Sequence, residues 1–195
     1  LTLGFPSMKL NDNIKTLESE NLFLKPFTAK DIQAEYINWL NNNDINKYLE
    51  IRLQKQTTET AKAYVNSFKN NLEKFLWGIY SLDNKLIGTT SLYNFNKYHG
   101  LASISIMIGN KDFWGTSATI EAKTLVINYA FNIIKIRKIL ASTYAVNMSM
   151  NFTLKKLGFT LEGKFLQNRL LENGEYCDEF KWGLFKNVWQ QRSNF

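Results

Sequence analysis

The sequence predicts an α/β fold in which helices pack on one mixed β-sheet. The clearest strand runs from Leu101 to Ile108, where larger apolar and small polar side chains alternate with a period of two. The clearest helix follows Ala118 and extends to about Ile134, because its apolar residues recur with the helical period. Asn173-Gly174 separates two further segments, which is typical of a β-hairpin turn. Helices and strands are interspersed along the chain, so a single sheet covered by helices is expected.

Local signals place the other elements. The remaining predicted strands are residues 22–27, 75–80, 85–92 and 139–144, together with one strand on each side of Asn173-Gly174. The remaining predicted helices are residues 29–40, a helix capped by Thr57 or Thr58 with an apolar stripe reaching Leu72, and residues 147–157. The turn formers Asn41 to Asp44 are expected to end the first helix. Asn147 and Gly158 are expected to cap the last helix at its two ends.

Composition limits the class of protein. The chain has 195 residues, of which 45% are hydrophobic, so one well-packed domain is expected at residues 21–195. Residues 1–20 are polar without a clear period and predict an N-terminal extension, in which Met8 is a candidate native start. A single cysteine excludes a disulfide within the chain and favours a reducing compartment, and no apolar run is long enough to span a membrane. We therefore expect a cytoplasmic protein with no membrane partner.

Charge and ligand chemistry argue against a nucleic-acid site and a metal site. The formal net charge is +7, but the basic residues are scattered rather than clustered, so we expect no nucleic-acid site and instead a preference for a small polyanionic cofactor. A nucleic-acid binder remains an alternative that rests on the charge alone. No Cys/His cluster suggests a metal, and Cys177 has no base partner that would make it a nucleophile.

The loop between Leu101–Ile108 and the long helix is a candidate anion site. A strand, a short loop and the start of a helix place unpaired backbone N–H groups and the positive end of the helix dipole together. The loop residues Trp114, Gly115, Thr116, Ser117, Ala118 and Thr119 are mostly small, which lets the backbone approach a phosphate. The alternative is an ordinary loop in which Ser117 or Thr119 caps the helix.

The ordered set of motifs resembles a known family. The segments IGNKDFWGTSATIEAKTLVINYAF, N-x-S-M-x(5)-KLGF, LEGKF and NGEYCDEFKWGLFKNVW follow one another as in the GNAT superfamily of N-acetyltransferases. They are most similar to its Rim-type branch, and INWLNNNDINKYLEIR resembles members of that branch that act on amino sugars. The resemblance covers roughly residues 20 to 190. It implies a mostly antiparallel sheet whose fourth and fifth predicted strands splay apart, and an activity that transfers an acetyl group directly from acetyl-CoA to an amine.

The resemblance also implies where acetyl-CoA would bind. The loop from Trp114 to Thr119 would hold the pyrophosphate on its backbone N–H groups. Met107, Ile108 and Gly109, at the end of the strand, would hydrogen-bond the pantetheine arm, and Asn147 would contact the cofactor near the short helix. This chain departs from the family pattern at two loop positions, where Ser117 stands in place of the usual glycine and Thr119 in place of glycine or alanine. It also departs at Leu154, where many relatives have a tyrosine acid.

Three residues are candidates for proton transfer. Glu50, in the segment YLEIR, is the leading candidate for the base, and its alternative is a surface ion pair with Arg52. Tyr144 and Ser149 would lie near the thioester as candidate acids, with packing and capping as the alternatives.

The acceptor is expected to be a small-molecule or peptide amine: an amino sugar, a protein N-terminus, or a polyamine or antibiotic. A monomer or homodimer is expected. A second reading of the same motifs is a non-catalytic, coenzyme A-binding or regulatory module, because of the altered loop residues and Leu154.

Overall fold

Eight strands form one open sheet in the computed structural model, which describes residues 15–69, 71 and 73–192. Most of the predicted N-terminal extension, and Leu72 of the predicted second helix, lie outside the described residues. The strands are β1 Leu17–Glu18, β2 Leu22–Pro26, β3 Phe75–Ser81, β4 Leu86–Asn96, β5 Leu101–Ile108, β6 Lys138–Tyr144, β7 Thr160–Leu170 and β8 Tyr176–Phe185. Their order across the sheet is β1-β2-β3-β4-β5-β6-β8-β7. The predicted α/β class and mixed sheet are confirmed.

The sheet splays between β5 and β6, the fourth and fifth strands of the sequence prediction. Every other neighbouring pair is antiparallel, whereas β5 and β6 run parallel and pair only where residues 101–103 meet residues 138–140. Beyond these residues the two strands separate, and a gap opens in the middle of the sheet.

The helices flank this sheet on both faces. They are α1 Ala34–Leu40, α2 Asn43–Asn46, α3 Thr58–Asn66, α4 Ala118–Asn132, α5 Met148–Lys156 and α6 Lys186–Arg192, with short 3-10 turns at Glu50–Leu53 and Lys111–Phe113. The predicted caps at Thr57, Asn147 and Gly158 are confirmed: Thr57 and Asn147 accept backbone N–H groups, and Gly158 has a φ of +89°. None of the described helices is long and apolar enough to cross a membrane.

The predicted start of the first helix was wrong, because a polar side chain bonds the backbone locally, whereas its predicted end was right. The first helix begins at Ala34 rather than at residue 29, since Asp31 accepts hydrogen bonds from the backbone N–H and the hydroxyl of Thr28 and holds a turn. The prediction that Asn41 to Asp44 end the first helix is confirmed, since α1 ends at Leu40. Asn42 then accepts a hydrogen bond from the N–H of Asp44 and starts α2.

Two apolar cores form, one on each face of the sheet. α4, α5 and α6 cover one face, where Ala102 and Ile104 of β5 are buried. α1 and α3 cover the other face, where Met107 of β5 is buried with Trp39. The alternation of β5 therefore divides its side chains between two cores, as its sequence pattern predicts.

Gly109 makes the closest contact between this second core and the end of β5. A Cβ at Gly109 would lie 2.0 Å from the Cδ2 atom of Trp39, whose indole is 6% exposed. Buried rings cannot move aside without cost, so we expect Gly109→Ala to lower the free energy of unfolding by about 1–3 kcal/mol. Urea unfolding checks this prediction. Gly163→Ala is the control, since its Cβ would have no neighbour closer than 3.9 Å, and equal losses in the two variants would contradict the argument.

Candidate functional site

The loop that follows β5 has the form of an anion site, with two changes from the sequence prediction. Ala118 and Thr119 lie in the first turn of α4 rather than in the loop. Neither Ser117 nor Thr119 caps the helix, because the N–H of Ala118 bonds the hydroxyl of Thr116 at 3.2 Å. Gly115 adopts a φ of +74°, and no atom lies within 4 Å of the position that a Cβ would take. A ligand can therefore approach the backbone closely at Gly115.

Ser117 stands at the N-cap position of α4, but its side chain makes no capping hydrogen bond. Its hydroxyl donates to the Glu121 carboxylate at 2.5 Å, and Ser19 and Asn21, from the turn before β2, donate to the same carboxylate. Burial raises the pKa of Glu121, but the three side-chain hydrogen bonds and one from the backbone of Asn21 outweigh it and hold the pKa below its ordinary value. The carboxylate therefore stays ionised and ties the start of α4 to the sheet.

The gap beside β5 exposes a particular set of backbone groups. The N–H of Gly109 donates to the carbonyl of Ile87 on β4 at 2.9 Å. Successive residues of a strand direct their backbone groups to alternate sides, so odd-numbered residues of β5 face β4 and even-numbered residues face the gap. The backbone groups of Ile106 and Ile108 therefore face the gap, whereas those of Met107 and Gly109 face β4. The contact of Met107, Ile108 and Gly109 with the pantetheine arm stays a prediction.

Trp114 closes one side of this gap. Its indole Nε1 donates to the carbonyl of Ile108 at 3.0 Å, although 44% of the residue is exposed. On the opposite side Asn147 accepts the N–H of Met150 at 3.2 Å, so its side chain is used in capping α5. The contact of Asn147 with the cofactor stays a prediction. Leu154 is fully buried in the core behind α5, so this position provides no polar group to the gap.

A cleft of about 540 Å³ lies on the face of the sheet that α1 and α3 cover, beneath these two helices and the 3-10 turn at Glu50–Leu53. We call it the acceptor cleft. Its floor is formed by side chains of β3, β4 and β5, including Ser91, Ser105 and Met107. The hydroxyl oxygens of Ser91 and Ser105 are 2.7 Å apart and hydrogen-bonded to each other. Among the described residues that line the cleft, Glu50 and Lys74 carry charge, and the others are apolar, aromatic, hydroxyl-bearing or amide side chains.

Glu50 stands at the edge of this cleft that is nearest the gap. Its Oε1 atom accepts hydrogen bonds from Arg169 Nη1 at 2.5 Å and from the hydroxyl of Tyr144 at 3.2 Å, while 59% of its side chain stays exposed. The alternative ion pair with Arg52 is wrong, because Arg52 donates instead to the carbonyl of Leu170. A carboxylate that is both hydrogen-bonded and accessible can hold or deprotonate an incoming ammonium.

The other two candidate acids differ in their surroundings. Tyr144 is 5% exposed at the end of β6, and its ring contacts that of Tyr48. Burial is the main reason that the pKa of Tyr144 lies above its ordinary value. A hydrogen bond from Arg52 lowers the pKa in part, and the Glu50 carboxylate raises it. The phenol therefore stays protonated and able to donate. Ser149 is exposed on the first turn of α5, and its role stays a prediction.

A buried ionic cluster behind Glu50 was missed in the sequence. Glu179 on β8 is fully buried, and its carboxylate accepts from Arg169, Lys181 and Asn168 at 2.5–2.7 Å. Arg169 thus bridges Glu179 and Glu50. The pairing of β7 with β8 shifts register between Phe165 and Arg169, and such bulges redirect side chains. Because side chains alternate along a strand, Glu179 lies on the opposite face of β8 from Asp178. No signal in the sequence indicated that Arg169 would be the partner of Glu179.

Comparison with known proteins identifies the family. The model of the Acetyltransferase (GNAT) domain matches residues 21–160. This chain belongs to the GNAT family of acetyltransferases. The N-acetyltransferase YnaD of Bacillus subtilis (strain 168), itself uncharacterized, is 27% identical over 175 residues, which cover 89% of this chain and 98% of YnaD. The spermidine N(1)-acetyltransferase of Escherichia coli (strain K12) is 22% identical, over 84% of this chain and 86% of the relative.

Solved structures share the fold. The spermidine N-acetyltransferase of Vibrio cholerae, in complex with CoA and spermine, superposes with a TM-score of 0.79 at 19% identity, over 88% of this chain and 99% of that one. Membership of the family makes the protein an acetyl-CoA-dependent N-acetyltransferase. The open backbone at Gly115 and the edge of β5 that β6 leaves unpaired beyond residue 103 fit a ligand with a pyrophosphate and an extended amide arm, although Trp114 occupies the carbonyl of Ile108.

Proposed function

We propose that this N-acetyltransferase acts on a single primary amine carried by a hydroxylated body without further positive charge, as in an amino sugar. The composition of the acceptor cleft carries this proposal. Hydroxyl groups of Ser91, Ser105 and Thr89 lie on its floor beside apolar and aromatic side chains. Such a surface pairs with sugar hydroxyls and with the apolar face of a sugar ring.

A polyamine fits this cleft poorly. The spermidine named for two relatives keeps positive charges after one amine has reacted, and each desolvated charge needs a partner. Glu50 is the acidic residue among the described lining residues, and Arg169 already contacts it. Lys74 lines the same cleft and would repel a second ammonium.

The residues of the cleft support direct transfer to the amine. An amine attacks as the neutral species, so Glu50 holds the incoming ammonium and receives its proton. The thioester of acetyl-CoA supplies the activated acetyl group. As the new C–N bond forms, the C–S bond of the thioester breaks, and Tyr144, which is protonated and hydrogen-bonded to Glu50, would give a proton to the leaving thiolate. Ser91 and Ser105 bond each other rather than a base, so neither is activated as a nucleophile.

Thiol release from acetyl-CoA across a panel of amines tests the acceptor class. We expect an amino sugar to give a kcat/KM at least about tenfold above that of spermidine, which corresponds to about 1.4 kcal/mol for unpaired charge in the cleft. A peptide with a free N-terminus should fall between them if its side chains are uncharged. Preference for spermidine would overturn the proposal while leaving the acetyltransferase activity in place.

The cofactor loop is tested at Ser117. Ser117→Asp adds a carboxylate beside Glu121 and beside the proposed pyrophosphate site, so we expect coenzyme A to bind about tenfold more weakly. Ser117→Asn has nearly the same size without charge and serves as the matched control. Calorimetric titration with coenzyme A measures both variants, and thermal unfolding confirms that each is folded. Equal affinity for coenzyme A in the Ser117→Asp and Ser117→Asn variants would show that this loop does not bind the pyrophosphate.

A further inference from the structure

Lys74 is a cation in the acceptor cleft without an acidic partner. It immediately precedes β3, is half-buried, and lines the cleft. Its Nζ donates to the hydroxyl of Ser67 at 2.9 Å and lies 4.7 Å from the ring centroid of Phe68. Within residues 15–69, 71 and 73–192, the ion pairs that form involve other cations. The ammonium is therefore held in place by neutral groups and keeps its full charge available.

Lys74 and Glu50 lie on opposite sides of the cleft. Lys74 belongs to the β3 side, whereas Glu50 contacts Tyr144 of β6, across β4, β5 and the gap. Neighbouring strands are about 4.8 Å apart, so β3 and β5 alone are separated by roughly 10 Å. A ligand whose amine reaches Glu50 can therefore present its far end to Lys74.

The lining between these two charges is neutral, and donors lie near Lys74. Asn94 lines the cleft on β4, the strand paired with β3, in a left-handed conformation with a φ of +54°. The register of β4 against β5 shifts between Tyr93 and Asn96, so Asn94 escapes the regular pairing and its amide is exposed. A cation and an amide at one end of a neutral cleft suit an oxyanion.

We propose that Lys74 forms an anion-binding subsite, and that the acceptor carries a phosphate or carboxylate at the end opposite its amine. This inference rests on the proposed function, because it takes the amine to be bound at Glu50. It narrows the acceptor to molecules that are cationic at one end and anionic at the other. An amino-sugar phosphate and a short peptide with a free carboxylate both have this chemistry, and both lack the second positive charge of a polyamine.

Binding of matched ligand pairs tests the subsite without relying on turnover. One pair is glucosamine and glucosamine 6-phosphate, and the other is a tripeptide amide and the same tripeptide as the free acid. Calorimetry measures each ligand against wild type, Lys74→Gln, Lys74→Arg and, as a control for charge, Lys62→Gln on the exposed face of α3. We expect the anionic member of one pair to bind wild type about tenfold more tightly than its neutral partner, and the pair that shows it identifies the source of the anion.

The variants decide whether Lys74 causes that preference. Lys74→Gln should reduce the preference to near unity with the neutral ligand unaffected, whereas Lys74→Arg and Lys62→Gln should retain it. Equal binding within both pairs, binding of neither pair, or a preference that survives in Lys74→Gln would each overturn the subsite. Acetyl transfer is measured separately by thiol release. Acetyl transfer together with equal binding of anionic and neutral ligands would contradict the anion subsite alone. Preferential binding of the anionic ligand without acetyl transfer to any amine would contradict the proposed function instead.

Discussion

Glu50→Gln is expected to lower kcat/KM for acetyl transfer about 100-fold and to leave the affinity for coenzyme A unchanged. The amide keeps the size of the side chain but can neither take a proton nor neutralise an ammonium. Loss of a positioned base typically costs a factor of 10² or more. Glu50 lies in the acceptor cleft and not in the loop around Gly115, so cofactor binding should not respond. Steady-state kinetics over pH, with an acceptor found in the amine panel, measures the effect.

The pH profile separates two roles for Glu50. If it removes the proton, the acidic limb of the wild-type profile should disappear in Glu50→Gln, because that limb follows ionisation of the carboxylate. If it only binds the ammonium, KM should rise with kcat little changed. Glu73→Gln, an exposed carboxylate just outside the cleft lining, is the control. Wild-type kinetics in Glu50→Gln at every pH would exclude both roles and leave the ion pair with Arg169 as its function.

Local signals predicted most of the fold, because each is satisfied by residues near in sequence. The cap at Asn147, the left-handed glycine at Gly158 and the hairpin at Gly174 all depend on a few neighbouring residues. α6 was not predicted, since it is a short helix held by tertiary contact: the indole of Trp189 donates to Asn128 of α4 at 2.8 Å. β1 has two residues and exists through its pairing with β2, so no periodicity could indicate it.

The candidate site was only partly predictable, because some of its contacts join residues that are far apart in the sequence. Motifs indicated the loop at Gly115 and the carboxylate at Glu50, whose roles stay predictions. The partner of Glu50 could not be found, because Arg169 is 119 positions away and a bulge in β7 directs it there. Arg52 was the nearest cation in sequence, but residues two apart in a helical turn do not face each other. Contacts that join distant strands leave no spacing pattern in the chain.

Arg169→Met is expected to lower the free energy of unfolding by about 3 kcal/mol, because it leaves Glu179 ionised and incompletely paired in the core. Glu179 is fully buried, and Arg169 donates to it at 2.5 Å. Removing one partner of a buried ion pair typically costs about 3–5 kcal/mol, and Lys181 and Asn168 still bond the carboxylate, so we expect the lower end. Urea unfolding measures the loss. Arg169→Met combined with Glu179→Met should recover part of it, since no incompletely paired carboxylate remains in the core, and Lys181 and Glu50 can reach solvent.

The dependence on pH distinguishes this mechanism from simple loss of packing. Burial raises the pKa of Glu179, but hydrogen bonds from Lys181, Arg169 and Asn168 outweigh it and hold the pKa below the ordinary value of 4.5. A carboxyl whose pKa is depressed on folding stabilises the protein above 4.5, and this contribution is lost as pH falls through the folded pKa. Arg169→Met removes one of those bonds and therefore raises the pKa of Glu179 in the folded protein. Ionisation of Glu179 then contributes less to the free energy of unfolding, so less is lost on acidification, and protonation of Glu179 should begin at a higher pH. The gap in stability between wild type and Arg169→Met should therefore be widest near pH 7 and shrink below pH 4.5. A gap that stays constant with pH would show that Arg169 acts through packing, and that the bridge from Glu179 to Glu50 contributes nothing electrostatic.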